Sequence, residues 1–150
     1  MYGNGRLPDS ALSAIPGGRL RKGAAARSFL AMRYFIGRRT GVWIRPTGPA
    51  SSYRALYWQQ RFYRAYLSGR GPLAAKPGTS NHGIGLAVDL PTERMQALVR
   101  EYGHLFGWGI AGGVLSSDAM SEPWHAVYRG PYNRFARRWY WKRRLSIRRK

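Results

Sequence analysis

The sequence predicts a single domain that combines α-helices with short β-strands. Its 150 residues suit one compact domain, and hydrophobic residues make up 44% of them, which is enough for a core. Three segments repeat apolar residues at helical spacing, whereas another alternates apolar and small residues with a period of two. We find no internal repeat, so these segments are interpreted as the elements of one mixed fold.

The first part of the chain predicts a lead-in, a helix and a strand. Residues 1–18 are rich in Gly, Pro and Ser, and we expect them to be extended. A helix is predicted over residues 20–36, because Ala25, Phe29, Met32 and Ile36 recur at helical spacing and belong to the core. We expect Gly37 to stop this helix. The segment GVWIRP, residues 41–46, predicts a short strand closed by its proline.

A second helix is predicted between two loops. Residues 48–52 indicate a turn, and residues 53–67 repeat Leu56, Gln59, Tyr63 and Tyr66 along one helical face. The stretch SGRGPLAAKPGTS, residues 68–80, contains several Gly and Pro residues and is typical of a loop.

The stretch SNHGIGLAVDL, residues 80–90, predicts the strand that matters most. From Ile84 to Leu90, aliphatic side chains alternate with Gly85, Ala87 and Asp89, which is the period of a strand. One face is aliphatic, and the other is nearly bare, so we expect the bare face to give metal and substrate access to Asp89. His82 has the wrong parity for that face. It must lie in the turn before the strand, or a bulge must re-aim it.

The rest of the chain predicts a helix, two strands and a long loop. The helix covers residues 92–102, with Met95, Leu98, Val99 and Tyr102 facing inward. GWGI, residues 107–110, and WHAVY, residues 124–128, indicate short strands. The loop between them, GGVLSSDAMSEP, has a length at which loops often carry function.

Composition excludes several classes of protein. The chain has 26 Lys and Arg against 6 Asp and Glu, a net charge of +20, which implies an anionic partner such as nucleic acid, a membrane surface or an anionic cell wall. It has no cysteine, which excludes disulfides, thiolate metal sites and a cysteine nucleophile. The sequence contains neither a signal peptide nor a membrane-spanning segment, so we expect synthesis in the cytoplasm and action elsewhere only after release.

The last residues, 131–150, differ from the rest. From Arg134 onward they contain nine basic residues and no acid, with aromatic residues interleaved. Two interpretations stay open: a solvated helix, or an electrostatic anchor for an anionic polymer or membrane.

Four residues in two segments have the chemistry of a metal site. His82, Asp89 and His125 offer two imidazoles and a carboxylate, which suit zinc and leave a fourth position for water, the catalytic arrangement. Glu122, three residues from His125, is placed to act as a general base. A lone His and Asp, or a lone Glu and His, would mean little, but the combination lies on two separate predicted strands. His104 lacks such a context and is interpreted as structural.

The same residues resemble a known family. Ser80-x-His82-x-x-Gly85-x-Ala87-x-Asp89, followed by Glu-x-Trp-His at residues 122–125, resembles the zinc D-alanyl-D-alanine carboxypeptidases of the VanY type. These are grouped with the lysostaphin-type peptidases and the hedgehog signalling domain. The resemblance runs from about residue 20 to residue 128 and includes KPGTSNHG and the Ser-x-Tyr-Arg segment that ends at Arg54. Pro123 departs from the family, which often has tryptophan there.

The resemblance implies a role for each matched residue. It makes His82, Asp89 and His125 the ligands of one zinc ion per chain, and Glu122 the base. It implies that Arg54 stabilises the oxyanion and orients the substrate. The remaining matched positions are supporting or substrate-contacting residues: Ser80, Gln59 and Trp124.

The resemblance also implies a fold and a substrate. The fold would be α+β, with a small, mostly antiparallel sheet that carries the zinc site and helices packed against it. The catalytic domain would cover residues 19–130, between the lead-in, 1–18, and the basic tail, 131–150. The substrate would be a bacterial peptidoglycan peptide, cut at D-Ala-D-Ala, L-Ala-D-Glu or a cross-link, as in wall enzymes and bacteriophage endolysins. We expect a monomer without a specific nucleic-acid partner, with its tail on anionic wall polymers or a membrane.

Two other interpretations compete with an enzyme. A basic protein that binds anionic wall, membrane or nucleic acid without catalysis explains the charge and the tail, but not the zinc pattern. A metal-bound but inactive binding module, as in the hedgehog branch, would be favoured by loss of the base, and Glu122 is present.

Overall fold

The structure is a computed structural model that describes residues 1–116, 122–131, 138 and 142. Its fold is α+β, as the sequence predicts. Within residues 1–116 and 122–131, three α-helices accompany five short strands: β1 Leu12–Ile15, β2 Gly18–Arg21, α1 Ala24–Thr40, α2 Leu56–Leu67, β3 Ala87–Asp89, α3 Glu93–Tyr102, β4 Trp108–Gly109 and β5 His125–Tyr128. Four single 3-10 turns join them: Asp9–Ala11, Pro49–Ser51, Asn81–Ile84 and Gly103–Phe106.

The strands form two antiparallel sheets. β1 and β2 make a hairpin, and the second sheet has the order β3-β5-β4. β5 is therefore the central strand of the second sheet, although it comes last in the chain. Its register places Asp89 opposite His125 and Ala87 opposite Val127. This sheet brings together two segments that are 36 residues apart in sequence.

The core lies between α1 and the three-stranded sheet. Phe29, Met32 and Ile36 of α1 are fully buried, as predicted from their spacing. Phe29 packs edge-on against Trp108 of β4, with ring centroids 5.6 Å apart. The Trp108 indole N–H donates to the hydroxyl of Ser28 at 3.0 Å, so the largest buried side chain leaves no unpaired donor.

The helix predicted over residues 92–102 is confirmed in α3. Thr92 is its N-cap, and its hydroxyl accepts a hydrogen bond from the N–H of Met95 at 3.1 Å. Leu98 and Val99 are buried, and Met95 and Tyr102 pack against the core. The strands predicted within residues 107–110 and 124–128 are confirmed in shorter form as β4 and β5.

Two predictions about the first helix are wrong. Residues 20 and 21 belong to β2, and α1 runs on past Gly37 to Thr40. Gly37 lies inside the helix because the ring of Trp43 packs directly over it. A Cβ at this position would come within 2.3 Å of that ring. The glycine therefore serves packing rather than termination.

The strand predicted over residues 41–46 is wrong as well. The segment makes no sheet ladder, because its carbonyls find other donors. The guanidinium of Arg33 donates to the carbonyl of Ile44 at 2.7 Å. A single backbone bond, from Thr47 N–H to the carbonyl of Asp89 at 2.9 Å, fastens the end of this segment to β3.

The lead-in is more structured than predicted. Strand β1 lies inside residues 1–18, which contradicts the expectation that they are all extended lead-in. The helix predicted over 53–67 begins three residues later, at Leu56. Residues 117–121 of the long loop and most of the predicted basic tail lie outside the described residues. Among the residues described, no helix is long and apolar enough to cross a membrane.

Candidate metal centre

His82 is held by a tight turn that precedes strand β3. The 3-10 turn Asn81–Ile84 is capped by Ser80, whose hydroxyl accepts a hydrogen bond from the N–H of His82 at 3.2 Å. The carbonyl of His82 accepts from the N–H of Arg54 at 3.0 Å. The first of the two positions predicted for His82, the turn before the strand, is therefore the correct one. The predicted strand is shorter than expected, because Ile84 belongs to this turn and only Ala87–Asp89 pair.

Asp89 and His125 meet because their strands pair. They are direct partners in the β3 and β5 register, and opposite residues of an antiparallel pair have Cβ atoms only about 5 Å apart. The pairing is extended by one bond, from Leu90 N–H to the carbonyl of Trp124 at 2.9 Å. The separation of these two side chains is thus fixed by backbone hydrogen bonds on both sides.

Three side-chain atoms converge at this point. Asp89 Oδ1 lies 3.2 Å from His82 Nε2 and 3.0 Å from His125 Nδ1. One ligand atom from each residue lies within 4.8 Å of the other two. His82 is 3% exposed and His125 8%, so both imidazoles are shielded from solvent. The three residues predicted as metal ligands from the sequence are therefore brought together.

The hydrogen bonds of His82 show which of its ring nitrogens is protonated and which one could bind a metal. Its Nδ1 lies 2.8 Å from the carbonyl of Ser52, an acceptor, so Nδ1 must carry the proton. Burial lowers the pKa of His82 and favours the neutral ring, although Asp89 acts in the opposite direction. A neutral ring then turns the lone pair of Nε2 toward a carboxylate oxygen. A shared cation satisfies both atoms, and a backbone carbonyl behind a ligating histidine is the usual arrangement at zinc sites. The donor set therefore fits zinc.

Asp89 is an anion in this setting. Burial by itself would raise the pKa of Asp89, but the ring nitrogens of His125 and His82 beside Oδ1 outweigh burial and hold that pKa far below its usual range. A carboxylate that stays ionised at every physiological pH is a suitable ligand for a divalent cation.

Arg54 lies beside the cluster and is tightly held. Its Nη2 donates to Asp89 Oδ2 at 3.2 Å, and its Nε donates to the carbonyl of Ala50 at 2.8 Å. Its guanidinium also stacks over the ring of Phe62, with 4.7 Å between the carbon of the guanidinium and the ring centroid. Burial lowers the pKa of Arg54, while Asp89 raises it, and an arginine keeps its charge under such conditions. The structure thus places a fixed positive charge next to the candidate ligands.

Glu122 is positioned by the turn that leads into β5. Its carbonyl accepts a hydrogen bond from the N–H of His125 at 3.1 Å, which closes a tight turn around Pro123 and Trp124. Glu122 lines the same cleft as the histidines and is half-buried. Burial raises the pKa of Glu122, and the charge of Asp89 adds to this, although His125 and Arg54 oppose it. A carboxyl group with a raised pKa is suited to take up a proton and return it.

All of these groups face one open cleft of about 950 Å³. Its floor carries the candidate ligands, Arg54 and Glu122. Ser80 and Trp124, both predicted as substrate-contacting or supporting residues, also line it. Its outer wall comes from α2 and from the loop that follows, where Phe62, Ala65 and residues 70–75 contribute. The volume lies within the range of ordinary ligand-binding clefts.

Gln59 supports the site from behind and does not line the cleft. It is 2% exposed. Its Nε2 donates to the side chain of Asn4 and to the carbonyl of Arg54, both at 3.1 Å, and its Oε1 accepts from Gly78 N–H at 2.9 Å. This one amide joins α2, the N-terminal segment and the loop before His82.

The bare face predicted for residues 83–87 does not admit the substrate. The N-terminal segment occupies it: Gly5 N–H donates to the carbonyl of Gly83 at 2.7 Å, and Arg21 N–H donates to the carbonyl of Gly85 at 2.9 Å. A Cβ on Gly83 would come within 1.8 Å of the Asn4 side chain. The small residues make room for the chain itself, so the interpretation as an access route is wrong.

Sequence reasoning missed Ser52, Asn4 and Phe62. The first acts through its backbone carbonyl, which no sequence pattern reveals. The second belongs to the segment interpreted as lead-in. His104, predicted to be structural, lies in the 3-10 turn after α3 and away from the cleft, and its Nδ1 is buried without a hydrogen-bond partner among the described residues.

Comparison with known proteins gives no match from sequence alone. No protein-family model matches the chain, and no curated protein matches it. Solved structures do match. VanYB in complex with D-alanine-D-alanine superposes with a TM-score of 0.58 at 23% identity, over 87% of this chain and 82% of that one. A variant of the vancomycin-resistance D,D-pentapeptidase VanY in complex with Zn(II) gives 0.58 at 22% identity, over 93% and 92%.

A third structure extends the likeness to another specificity. LdcB, an LD-carboxypeptidase, superposes with a TM-score of 0.61 at 19% identity, over 91% of this chain and 75% of that one. The likeness to VanY-type proteins expected from the sequence is confirmed at the level of the fold. At these identities the comparison establishes a shared fold.

Proposed function

We propose that this protein is a zinc-dependent peptidase that hydrolyses the peptides of bacterial peptidoglycan. The observation that carries the proposal is the convergence of His82, Asp89 and His125 on one point, with Glu122 and Arg54 beside it in a cleft. Of the proteins with the same fold, one was solved in complex with D-alanine-D-alanine and one in complex with Zn(II). A third is described as an LD-carboxypeptidase. The motif SxHxxGxAxD, with Glu-x-Trp-His downstream, supports the same assignment.

The proposed chemistry divides among a few groups. Zinc held by the three ligands would supply Lewis acidity, which lowers the pKa of water toward about 7 and polarises a carbonyl. Glu122 accepts the proton of the attacking water and returns it to the leaving amine. Arg54, fixed by Asp89 and the carbonyl of Ala50, donates from its remaining N–H groups to the oxygen on which charge develops.

The charge of the chain supports an anionic wall polymer as the partner. A net charge of +20 concentrates the protein on peptide carboxylates and on wall phosphates, with a strong dependence on salt. We assign the basic tail, residues 131–150, the role of an additional anchor on anionic wall or membrane. The enzyme would then act at the wall as a monomer, after release from the cell that makes it, as an endolysin does.

The bond that is cut has three candidates. Among neighbours of the same fold, VanY is described as a D,D-pentapeptidase and LdcB as an LD-carboxypeptidase, and the second name is that of an enzyme that trims the end of a peptide. The open cleft is also compatible with an endopeptidase that cuts at L-Ala-D-Glu or at a cross-link.

Mass spectrometry of purified peptidoglycan fragments tests the proposal. The fragments are incubated with the zinc-loaded protein, with Glu122→Ala, and with the protein after chelation. Loss of a terminal alanine would make the protein a carboxypeptidase, and release of a stem peptide or of a cross-linked partner would make it an endopeptidase. Absence of cleavage by a protein with full zinc occupancy would overturn the proposal and favour a non-catalytic binding protein for anionic wall, membrane or nucleic acid.

A further inference from the structure

Helix α2 presents an exposed aromatic face beside the cleft. Tyr57 is 57% exposed and Trp58 42%, and Phe62 and Tyr66 follow on the same side at 36% and 38%. Of the twelve residues of α2, Gln59 is the one that is buried. Four aromatic side chains of one helix thus keep at least a third of their surface in solvent, and a contiguous exposed apolar patch of this kind marks a binding surface.

The rings of this face touch one another and an arginine. Tyr57 packs edge-on against Trp58 with centroids 5.3 Å apart, and Trp58 lies 6.1 Å from Phe62. The guanidinium of Arg61 stacks on Trp58 at 5.5 Å and on Tyr57 at 5.9 Å. The rings and the cation thus hold each other in place, so a ligand would meet a surface whose side chains are already ordered.

The aromatic face continues into the candidate active site. Phe62 belongs to both, because it contacts Trp58 on one side and lies under the guanidinium of Arg54 on the other. Ala65 of the same helix also lines the cleft. A polymer with one part bound in the cleft would therefore have its neighbouring part lying along α2.

Charge and length narrow the kind of polymer. Residues 10–88, which include the whole of α2, contain no Asp or Glu, so this helix carries no side chain that repels an anionic polymer. From Tyr57 to Tyr66 the helix rises about 13 Å, the length of a short run of sugar rings. The rings are partly exposed and lie against each other, with Tyr57 edge-on to Trp58 and Phe62 tilted against Trp58.

We infer that this face of α2 binds the sugar chain of peptidoglycan next to the peptide in the cleft. The inference rests on the proposed function for its choice of polymer, since the peptide of peptidoglycan is attached to that sugar chain. The apolar C–H faces of sugar rings pack on Tyr57 and Trp58, and Arg61 donates hydrogen bonds to hydroxyl and acetamido oxygens. The face would hold the polymer while Arg54 and Glu122 act on the peptide.

Binding to glycan strands freed of peptide tests this inference without requiring cleavage. The zinc-loaded Glu122→Ala protein is the parent, and Trp58→Ala is compared with Trp43→Ala. Trp43 is a matched control, since it is also 42% exposed and also carries an arginine, Arg33, at 5.5 Å, but it packs over Gly37 of α1 and is not part of the aromatic face of α2. We expect Trp58→Ala to weaken binding roughly tenfold or more, as truncation of a central aromatic contact does, and Trp43→Ala to leave it unchanged.

Several outcomes separate this inference from the proposed function. Trp58→Phe keeps a ring and should retain most of the binding, which guards against a folding defect in the alanine variant. On an otherwise unchanged enzyme, Trp58→Ala should leave cleavage of a short sugar-free peptide intact and slow that of the intact polymer.

Equal losses in Trp58→Ala and Trp43→Ala, or no binding of glycan by the parent, would overturn the inference. So would Trp58-dependent binding to phosphatidylglycerol vesicles alone. Failure to cut any peptide while glycan binding depends on Trp58 would remove the proposed activity and leave the face standing.

Discussion

Arg54 binds one oxygen of Asp89 while the other oxygen faces the two imidazoles. Nη2 of Arg54 lies 3.2 Å from Oδ2, and Oδ1 lies 3.2 Å from His82 Nε2 and 3.0 Å from His125 Nδ1. One carboxylate oxygen of Asp89 thus pairs with the permanent positive charge of Arg54, and the other faces the candidate metal position. A single oxygen remains for the metal, as a four-coordinate site with an open position requires.

Arg54→Lys should impair both zinc affinity and turnover. A lysine cannot contact Asp89, the carbonyl of Ala50 and the ring of Phe62 at the same time, because it lacks the planar fork. Loss of a partner behind a ligand typically costs 10- to 100-fold in metal affinity or activity, and loss of an oxyanion donor costs about 10²–10³ in rate. Titration with a zinc indicator and kinetics at saturating zinc measure the two effects separately. Arg38→Lys, at an exposed position of α1 outside the cleft, is the control, and equal behaviour of the two variants would contradict the role given to Arg54.

Zinc should stabilise the folded protein through His82. With zinc removed, Nε2 of His82 and Oδ1 of Asp89 face each other without a shared cation. Zinc at 100 times its dissociation constant should raise the free energy of unfolding by about 2.7 kcal/mol. Thermal unfolding with chelator and with added zinc measures this difference. His82→Ala should abolish the dependence on zinc, and His104→Ala should keep it, since His104 lies away from the cluster. If both variants still respond to zinc, the metal is bound elsewhere.

The activity should fall on the acid side at a higher pH than an ordinary glutamate would give. Burial raises the pKa of Glu122, and Asp89 contributes in the same direction. A base works only when ionised, so kcat/KM decreases as the pH falls through this raised pKa, which lies above the usual value of about 4.3. The acid limb of the pH profile of kcat/KM reports this pKa. Zinc occupancy is determined at each pH, because the histidine ligands also titrate. Undiminished activity at pH 4, with zinc bound, would contradict Glu122 as the base.

The residues of the candidate site could be proposed from the sequence because their side-chain types are rare in this chain. His82, Asp89, Glu122 and His125 are rare residue types in a chain with six acids and three histidines, and their spacing limits what they can form. Helix α3 could be predicted for a similar reason, since its apolar period and its Thr92 cap both act locally.

The features that were mispredicted depend on contacts with residues outside the segment concerned. Gly37 interrupts no helix, because Trp43 folds back over it. Residues 41–46 have strand composition, but the guanidinium of Arg33 takes the carbonyl of Ile44. Gly83 has no side chain, and this leaves room for Asn4, which belongs to the segment interpreted as the lead-in. In each case the deciding contact comes from a residue outside the local pattern: Trp43 for Gly37, Arg33 for Ile44 and Asn4 for Gly83.

Gln59 should contribute to stability through its three hydrogen bonds. Gln59→Leu keeps the volume of the side chain but leaves the Asn4 amide oxygen and the N–H of Gly78 without their partner. Leaving a polar group unsatisfied costs about 1–3 kcal/mol where water does not reach it, and Gly78 is exposed while Asn4 is half-buried, so the free energy of unfolding should fall by about 1–3 kcal/mol. Urea unfolding of the zinc-free protein measures the loss without a contribution from the metal.

Gln60→Leu is the matched control for this substitution. Gln60 is the next residue of α2 and is only half-buried, so the same chemical change there should alter the free energy of unfolding by less than about 0.5 kcal/mol. Because Gln59 also fixes the loop that precedes His82, its variant should bind zinc more weakly than the Gln60 variant does. Equal stability and equal zinc affinity of the two variants would mean that the N-terminal segment and this loop are held to α2 by other contacts, and that Gln59 only fills space behind the site.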